Sequence, residues 1–251
     1  LSFISAQTVR RRCAEEGLCG RVARRKRNYS DSERQKRLSF AHGYKHFTVA
    51  DWEKVIFSDE KSFTGSGFNG RTWCMREVGE ELNPRYCAHK VAHPVTVGVW
   101  GCMSAAGPGF ITCYKETLTA DFQVTILKDN LIATAAEHNI LDGQWYLLHD
   151  NARTFHCKEV KTWLHSNGIT CLTFPPYSPD LNVIENLWYF VQNRVNNHNA
   201  TTWEQLQDVV ASEWERMRTD EEALNLIKKL VHSMPTRIQA VIDANGWHTK
   251  Y

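Results

Sequence analysis

Short apolar runs alternate along this chain with longer segments in which apolar residues recur every three or four positions. The runs predict strands at 55–59, 61–64, 94–104, 110–115, 145–148 and 169–174. The helical spacing predicts helices over 32–46 and 119–138, a helix that Gly168 ends, and a long helix after the turn-rich PPYSPDLN. Helices that alternate with strands in this order are typical of an α/β fold, a sheet covered by helices.

The tail of the chain is helical throughout. Thr201 and Glu204 predict a capping box at the start of its first helix. The apolar stripe of that helix comprises Trp203, Leu206, Val210, Trp214 and Met217. A second helix is predicted over 220–232 and a third from near Pro235 to a point before Gly246. We interpret these helices as core packing rather than chemistry.

A short basic helix is predicted at the N-terminal end. Ser5 is suited to its N-cap and Gly17 to its end. Ile4, Val9 and Cys13 would face inward. The cations expected to contact DNA lie on this helix and in the basic run after it: Arg10, Arg11, Arg12, Arg21, Arg24, Arg25, Lys26 and Arg27. The run is equally typical of a nuclear localisation signal or a linker, and the nucleus is the expected location.

Charge is distributed unevenly along the chain. Residues 1–46 carry twelve Lys and Arg against four acids, whereas the remaining 205 residues carry 18 against 24. The formal net charge of +2 hides this difference. Two different partners, or one partner met in two ways, are implied.

Composition narrows the class of protein. The chain has 251 residues, of which 42% are hydrophobic, enough for one sizeable core plus a small appendage. No stretch approaches the roughly 18 consecutive apolar residues of a membrane span, so we expect a soluble protein with no membrane partner. The eight cysteines form no CxxC pair, which favours reduced thiols in an intracellular protein. Because the chain starts at Leu1, inside a motif, we expect that an N-terminal part precedes it.

Three acids occupy positions that suit a metal site. Asp59 and Asp150 each end an apolar run, and Glu185 lies early in the long helix. Carboxylate oxygens are the ligands that Mg²⁺ and Mn²⁺ prefer, and two such ions ~3.5–4 Å apart can clamp both oxygens of a phosphodiester displacement. Taken alone, each acid is more often a surface residue, and Asp150 is also suited to capping the next helix.

Four stretches favour the metal-site interpretation of the acids over a surface or capping role. They are FSDEKSF, VGVWGCMS, HDNAR and SPDLNVIENLW. In this order and at these distances they resemble the mariner superfamily of cut-and-paste DNA transposases. ISAQTVRRR and GLCGRVARRK resemble the end of that family's second helix-turn-helix and the linker to its catalytic domain. MREVGEELNPRY resembles its loop between the early strands. The match covers essentially the whole chain.

The resemblance implies a ribonuclease-H-like mixed sheet flanked by helices, with the first strand beside the fourth and a small basic helical segment before it. Residues 1–28 would be the end of the helix-turn-helix and the linker, and 29–251 the catalytic domain. A partner-contacting segment, here called the clamp loop, would span about 65–94. Asp59, Asp150 and Glu185 would form the catalytic and metal-binding triad for two Mg²⁺ or Mn²⁺ ions.

The implied activity is DNA transposition. Activated water would cleave at the transposon ends, and the freed 3′ hydroxyl would attack target DNA at a TA dinucleotide. The implied partners are double-stranded DNA, as terminal inverted repeats and as target, and a second copy of the chain in a homodimer at synapsis.

Two other interpretations stay open. A domesticated or decayed transposase would bind specific DNA sequences without catalysis. A structure-selective nuclease on the same fold is favoured less, because nothing in the sequence points to RNA or branched DNA.

The sequence also departs from the family pattern. Thr154, Phe155 and His156 follow HDNAR where the family commonly has Pro-His or Pro-Lys-His, and Val183 stands where proline is usual. The family's first DNA-binding subdomain is absent from the sequence, so we expect poor binding of inverted repeats by this chain alone. None of these departures removes a candidate metal ligand.

Overall fold

The computed structural model describes residues 5–19, 26–65, 74–87, 94–141 and 143–251. The chain divides into two compact units, Leu1–Ser30 and Asp31–Tyr251.

The first unit contains helix α1 (Ala6–Glu15), which forms on local signals. The Ser5 hydroxyl oxygen accepts a hydrogen bond from the Thr8 amide at 3.2 Å, as expected of an N-cap, and Gly17 follows the helix with a φ of 74°. α1 buries no residue, and Val9 is 50% exposed. The expectation that Val9 faces inward is therefore wrong, and Ile4 lies outside the described residues.

The second unit is built on one mixed sheet. Its strands are β1 (Val55–Thr64), β2 (Thr96–Ser104), β3 (Gly107–Tyr114), β4 (Tyr146–Leu148) and β5 (Thr170–Cys171). The spatial order is β3-β2-β1-β4-β5. β1, β2 and β3 pair antiparallel, whereas β4 is parallel to both β1 and β5. The first strand therefore lies beside the fourth, as predicted.

Helices cover the sheet. They are α2 (Asp31–Tyr44), α3 (Val49–Trp52), α4 (Ala120–Ile126), α5 (Ile132–Glu137), α6 (Arg153–His156), α7 (Lys158–Ser166), α8 (Ile184–Val195), α9 (Trp203–Thr219), α10 (Glu221–His232) and α11 (Met234–Asp243). A π-helical segment, Leu127–Leu131, joins α4 to α5, so the helix predicted over 119–138 is interrupted. Two 3₁₀ turns occupy Pro84–Tyr86 and Pro179–Leu181. No helix in the described ranges is long and apolar enough to cross a membrane.

Alternation along β1 sorts its side chains between two cores. Phe57 and Phe63 pack in the core that contains residues of α2 and α8–α11. Ile56 belongs to the core on the other side, with residues of α4, α5 and α7. Because successive side chains of a strand point to opposite faces, Asp59 shares the face of Phe57 and is directed towards α8.

Several predicted boundaries are wrong. The two short strands expected at 55–59 and 61–64 are one strand, because pairing with β2 continues without interruption from Phe57 to Thr64. The strand expected over 169–174 shrinks to the two residues of β5. The capping box lies one residue later than predicted, between Thr202 and Gln205.

The predicted core role of the tail helices is confirmed for most of the α9 stripe. Leu206, Val210, Trp214 and Met217 are buried, and the Trp214 indole N–H donates to the Gly109 carbonyl at 2.7 Å. Trp203 is only partly buried.

The clamp loop falls partly outside the described residues, which include only 74–87 and its two ends. Within 74–87, three large apolar side chains are almost fully exposed: Met75, Val78 and Leu82.

Gly101 of β2 makes room for a tryptophan of α8. A Cβ at Gly101 would lie 2.6 Å from the Trp188 ring, which is itself fully buried. We expect Gly101→Ala to lower the free energy of unfolding by about 1–3 kcal/mol, because the ring has nowhere to move. Urea unfolding followed by circular dichroism measures the change.

Gly43 near the end of α2 provides the matched control, because a Cβ there would meet no atom within 4 Å. Gly43→Ala should leave stability unchanged or raise it by up to about 1 kcal/mol. Equal destabilisation by the two substitutions would contradict the steric explanation.

Candidate active site

Asp59 is held in the middle of β1, not at its end as the sequence indicated. It pairs with Gly101 of β2 and is 8% exposed. One carboxylate oxygen, Oδ2, accepts a hydrogen bond from the Trp188 indole N–H at 3.0 Å. The missing side chain at Gly101 lets that ring lie across the sheet, so a glycine on β2 and a tryptophan on α8 together fix the carboxylate.

Asp150 lies two residues beyond the end of β4 and is partly buried. Its Oδ1 accepts a hydrogen bond from the Ala152 amide at 3.0 Å, a turn that leads into α6. β4 runs parallel to β1 with Leu148 opposite Phe57, which brings Asp150 to the same edge of the sheet as Asp59. Asp150 is therefore not the cap of α6, whose N-cap residue is Ala152; its Oδ1 holds the turn before the helix instead.

Glu185 is the second residue of α8 and is partly buried. Its amide donates to the Asn182 carbonyl at 3.2 Å, in the turn that precedes the helix. Val183, in the place where proline is usual, is fully buried.

The three acids line one cleft of about 410 Å³. The other lining residues are Asn151, Ala152, residues 174–179 and Asn182. Residues separated by as many as 126 positions in sequence therefore meet at one surface. Parallel pairing of β1 with β4, and packing of α8 on β1, bring them there.

Burial and mutual repulsion alter the protonation of the acids. Burial raises the pKa of Asp59 to about 8, and the charges of Glu185 and Asp150 add to the effect. Burial also raises the pKa of Glu185, where the nearby Lys61 opposes the shift and Asp150 reinforces it. A carboxyl group in such surroundings favours its neutral form unless a cation is bound.

The oxygen donors fit Mg²⁺ or Mn²⁺. Three carboxylates are hard ligands, and a divalent cation would relieve their repulsion. The carboxamide oxygen of Asn182, buried at the same cleft, has no hydrogen-bond partner among the described residues and adds a neutral donor. In the described ranges no three His, Cys, Asp or Glu side chains form a ready-made metal-binding cluster.

Two residues near the acids were missed in the sequence. Trp188 has the helical spacing of a core residue, and this pattern gives no sign that its indole N–H donates to Asp59. Glu60 was passed over although it is the second acid of FSDEKSF. It is partly buried, and burial raises its pKa to about 7, with Asp150 adding to the shift. Because strand side chains alternate, Glu60 points to the opposite face of the sheet from Asp59.

The altered segment after Asp150 is accommodated in α6. The Phe155 ring is buried and stacks on His149 with ring centroids 3.8 Å apart, while His156 is exposed.

A second, larger groove of about 920 Å³ adjoins the cleft. The two share Asn151 and residues 174–176. One side of the groove is a stripe of α2 at helical spacing: Ser32, Gln35, Lys36, Ser39 and Gly43. The residues that line the groove include Lys36 and no Asp or Glu, and its polar groups lie beside apolar ones such as Phe40 and Phe174.

The predicted DNA-contacting cations belong to the first unit of the chain and are only partly described. Arg10, Arg11 and Arg12 are exposed on α1, where Arg11 and Arg12 lie 3.8 and 3.1 Å from Glu15 carboxylate oxygens. Lys26 and Arg27 are exposed. Arg21, Arg24 and Arg25 lie outside the described residues.

The raised pKa of Asp59 predicts a pH-dependent stability. The folded protein keeps this proton up to about pH 8, whereas the unfolded chain loses it near the usual value of 3.8, so the free energy of unfolding falls as pH rises between them. Asp59→Asn should remove this fall and raise the Tm of the metal-free protein at pH 8 by at least ~2–4 °C, about 1 kcal/mol. Differential scanning calorimetry at pH 5 and pH 8 measures it.

Asp208, exposed on α9, offers the matched control. Asp208→Asn should leave the pH dependence unchanged. If Asp59→Asn behaves in the same way, the carboxyl group of Asp59 is not destabilised by its surroundings.

Comparison with known proteins places this geometry in a family. The model of the DDE superfamily endonuclease family matches residues 54–207, and a Tc3-type helix-turn-helix transposase model matches residues 2–46. The Tc1 transposable element transposase of Caenorhabditis elegans is 32% identical over 248 residues, which cover 98% of this chain and 88% of that protein.

Two solved structures of the Mos1 mariner paired end complex share the fold. The complex with Mn superposes with a TM-score of 0.77 and the complex with Mg with a TM-score of 0.79. Each is 17% identical and covers 98% of this chain and 72% of the Mos1 chain. The predicted ribonuclease-H-like α/β class is confirmed, and the chain belongs to the Tc1/mariner family of DNA transposases.

Proposed function

We propose that this transposase cuts transposon ends and joins the freed 3′ hydroxyl to target DNA at TA, with Asp59, Asp150 and Glu185 as its metal-binding triad. Residues 1–28 act as a DNA-binding arm and 29–251 as the catalytic domain, and the protein works in the nucleus. The observation that carries the proposal is the single cleft lined by these three acids.

The chemistry needs two divalent cations, Mg²⁺ or Mn²⁺, which would activate the attacking oxygen and stabilise charge on the leaving oxygen. In cleavage, water adds to phosphorus and the bond from phosphorus to the 3′ oxygen breaks. In strand transfer, the 3′ hydroxyl takes the place of water and one phosphodiester bond replaces another. The Mos1 complexes with Mn and with Mg support the choice of ion.

The residues of this chain would bind the cations and orient the carboxylates that hold them. Trp188 fixes the orientation of Asp59 through its indole N–H, and the turn at Ala152 fixes that of Asp150. Asp59 must lose its proton when an ion binds, because its pKa is raised to about 8.

DNA is the proposed substrate and partner. The groove beside the cleft offers Lys36, Gln35 and several hydroxyl groups to a sugar–phosphate backbone that passes the acids. The arm supplies a cluster of cations for non-specific attraction. The Mos1 neighbours are paired end complexes, which supports binding of transposon ends.

A homodimer is proposed for synapsis. Met75, Val78 and Leu82 of the clamp loop are almost fully exposed, and exposed apolar side chains this close in sequence are typical of a surface that a partner covers.

Loss of one acid should abolish cleavage without loss of DNA binding. Asp150→Asn and Glu185→Gln are each expected to reduce Mg²⁺-dependent nicking of a repeat-end duplex by more than about 100-fold, since even outer-shell changes at metal sites cost 10–100-fold. Nicking is followed on denaturing gels, and duplex affinity by fluorescence anisotropy.

The exposed Asp208 again provides the control. Asp208→Asn should nick at the normal rate. Retained nicking in either acid variant, or lost binding with retained nicking, refutes the triad. A wild-type chain that binds the duplex and never nicks it under Mg²⁺ or Mn²⁺ would favour the decayed, DNA-binding alternative.

The arm should make DNA affinity depend steeply on salt. Replacing Arg10, Arg11 and Arg12 by Gln is expected to flatten the slope of log K against log salt by up to about 3, if each contacts one phosphate. Replacing Arg24, Arg25, Lys26 and Arg27 should flatten it further. Anisotropy titrations between 50 and 300 mM KCl measure the slope.

Three exposed lysines elsewhere match the first set in charge: Lys128, Lys228 and Lys229. Their replacement by Gln should leave the slope unchanged. If neither the substitutions at Arg10, Arg11 and Arg12 nor those at residues 24–27 change the slope of log K against log salt, the arm does not bind DNA.

A further inference from the structure

The segment that carries Glu185 is held by two buried guanidinium groups. Arg37 of α2 is 0% exposed and Arg237 of α11 is 4% exposed. Both contact Asp180, which is 9% exposed and lies five residues before Glu185 in the 3₁₀ turn. Charged side chains are rarely buried to this extent in a protein unless they are paired.

Arg37 binds the side chain of Asp180. Its two terminal nitrogens donate to the two carboxylate oxygens at 2.8 and 2.7 Å, a bidentate pair. Burial would raise the pKa of Asp180, but the hydrogen bonds and charge of Arg37 outweigh it and hold the pKa below its usual value. Asp180 therefore stays ionised and bound.

Arg237 contacts both ends of the segment 180–186. One terminal nitrogen donates to the Asp180 carbonyl at 2.7 Å, and the other to the Asn186 carboxamide oxygen at 3.1 Å. The Ser233 hydroxyl accepts from its Nε at 2.9 Å and fixes the guanidinium on α11. One side chain thus ties Asp180, in the middle of the 3₁₀ turn, to the residue directly after Glu185.

The last residues of the chain complete this arrangement. The Gly246 carbonyl accepts from Arg37 Nε at 3.0 Å, and the Thr249 hydroxyl donates to Asp180 at 2.8 Å. The Tyr251 ring lies 4.7 Å from the Arg237 guanidinium carbon. Residues some 60 positions after Glu185 therefore contact the turn that leads to it.

Glu185 needs such support because its own helix does not supply it. Among the described residues no side chain caps the N-terminus of α8, so the first turn of the helix depends on contacts from other elements. Buried ion pairs contribute little net stability, since desolvation offsets their attraction, and their best-attested role is to select one conformation.

We propose that Arg37 and Arg237 are positioning residues for Glu185. They hold residues 180–186 in the arrangement that presents Glu185 to the cleft that Asp59 and Asp150 also line. This inference rests on the proposed function, because it takes Glu185 to be a metal ligand.

Mn²⁺ affinity of the full chain, measured by electron paramagnetic resonance, tests the proposal without cleavage. Arg237→Gln should weaken Mn²⁺ binding about 10–100-fold, as for other outer-shell groups of metal sites. Arg237→Lys, which keeps the charge and one donor, should restore part of it. Thr249→Val removes the hydroxyl group that donates to Asp180 and accepts from the Tyr251 amide, and it should weaken binding a few-fold in a protein that still folds.

A double-mutant cycle separates positioning from general loosening. In a Glu185→Gln background, Arg237→Gln should cause no further loss of Mn²⁺ affinity, because the ligand it positions is gone. Val241→Ala, which shortens a buried side chain on the same helix, is the control. It should lower Tm and leave Mn²⁺ affinity unchanged.

Three results would overturn the proposal: the same loss from Arg237→Gln with and without Glu185, the same loss from Val241→Ala, or unchanged affinity in Arg237→Lys and Thr249→Val. Failure of the triad itself is recognised separately. In that case Glu185→Gln alone leaves Mn²⁺ affinity unchanged, whatever Arg237 does.

Discussion

Mutual repulsion of three carboxylates at one cleft is the constraint on which the rest of this structure depends. Asp59 is almost completely buried and Asp150 and Glu185 are partly so; burial, together with the charges of Glu185 and Asp150, raises the pKa of Asp59, and burial with the charge of Asp150 raises that of Glu185. Without other stabilising contacts, carboxylates of like charge would move apart. Their meeting is therefore stabilised by the packing of elements that carry no chemistry.

Each acid is supported by a different part of the chain. The ladder between β1 and β2 fixes the backbone of Asp59, and Trp188, lodged over Gly101, fixes its side chain. The parallel pairing of β1 and β4 brings Asp150 to the cleft beside Asp59. Glu185 depends on α2, α11 and the last residues of the chain through Arg37 and Arg237. Function therefore depends on residues far from the cleft, including tail helices that carry no acid of the site.

Much of this organisation could be predicted from the sequence. Apolar runs and helical spacing indicated an α/β sheet, and short motifs identified the acids as a set. Long-range pairing was harder to predict. β1 was divided at Asp59 because polar residues interrupt its pattern, yet its ladder with β2 does not depend on side-chain polarity. The length of β5 was overestimated because Leu172 and Phe174 are apolar and buried, as they would be in a strand, although the pairing with β4 ends at Cys171.

The sequence predicts that the three acids belong together, and the structure places them at one cleft, but the contacts that hold them there could not be predicted. Trp188 has the spacing of a core residue. Only the tertiary structure shows that its ring packs over Gly101 and that its indole N–H reaches Asp59. Arg37 and Asp180 lie 143 positions apart, a separation at which no local pattern indicates contact. Such interactions depend on tertiary structure and are not encoded by periodicity.

The most direct test of the account is anomalous scattering from crystals soaked in MnCl₂. The account predicts two manganese ions ~3.5–4 Å apart, with an oxygen of Asp59, of Asp150 and of Glu185 in contact with them. Side chains that point away from one another, with no manganese between them, would contradict it.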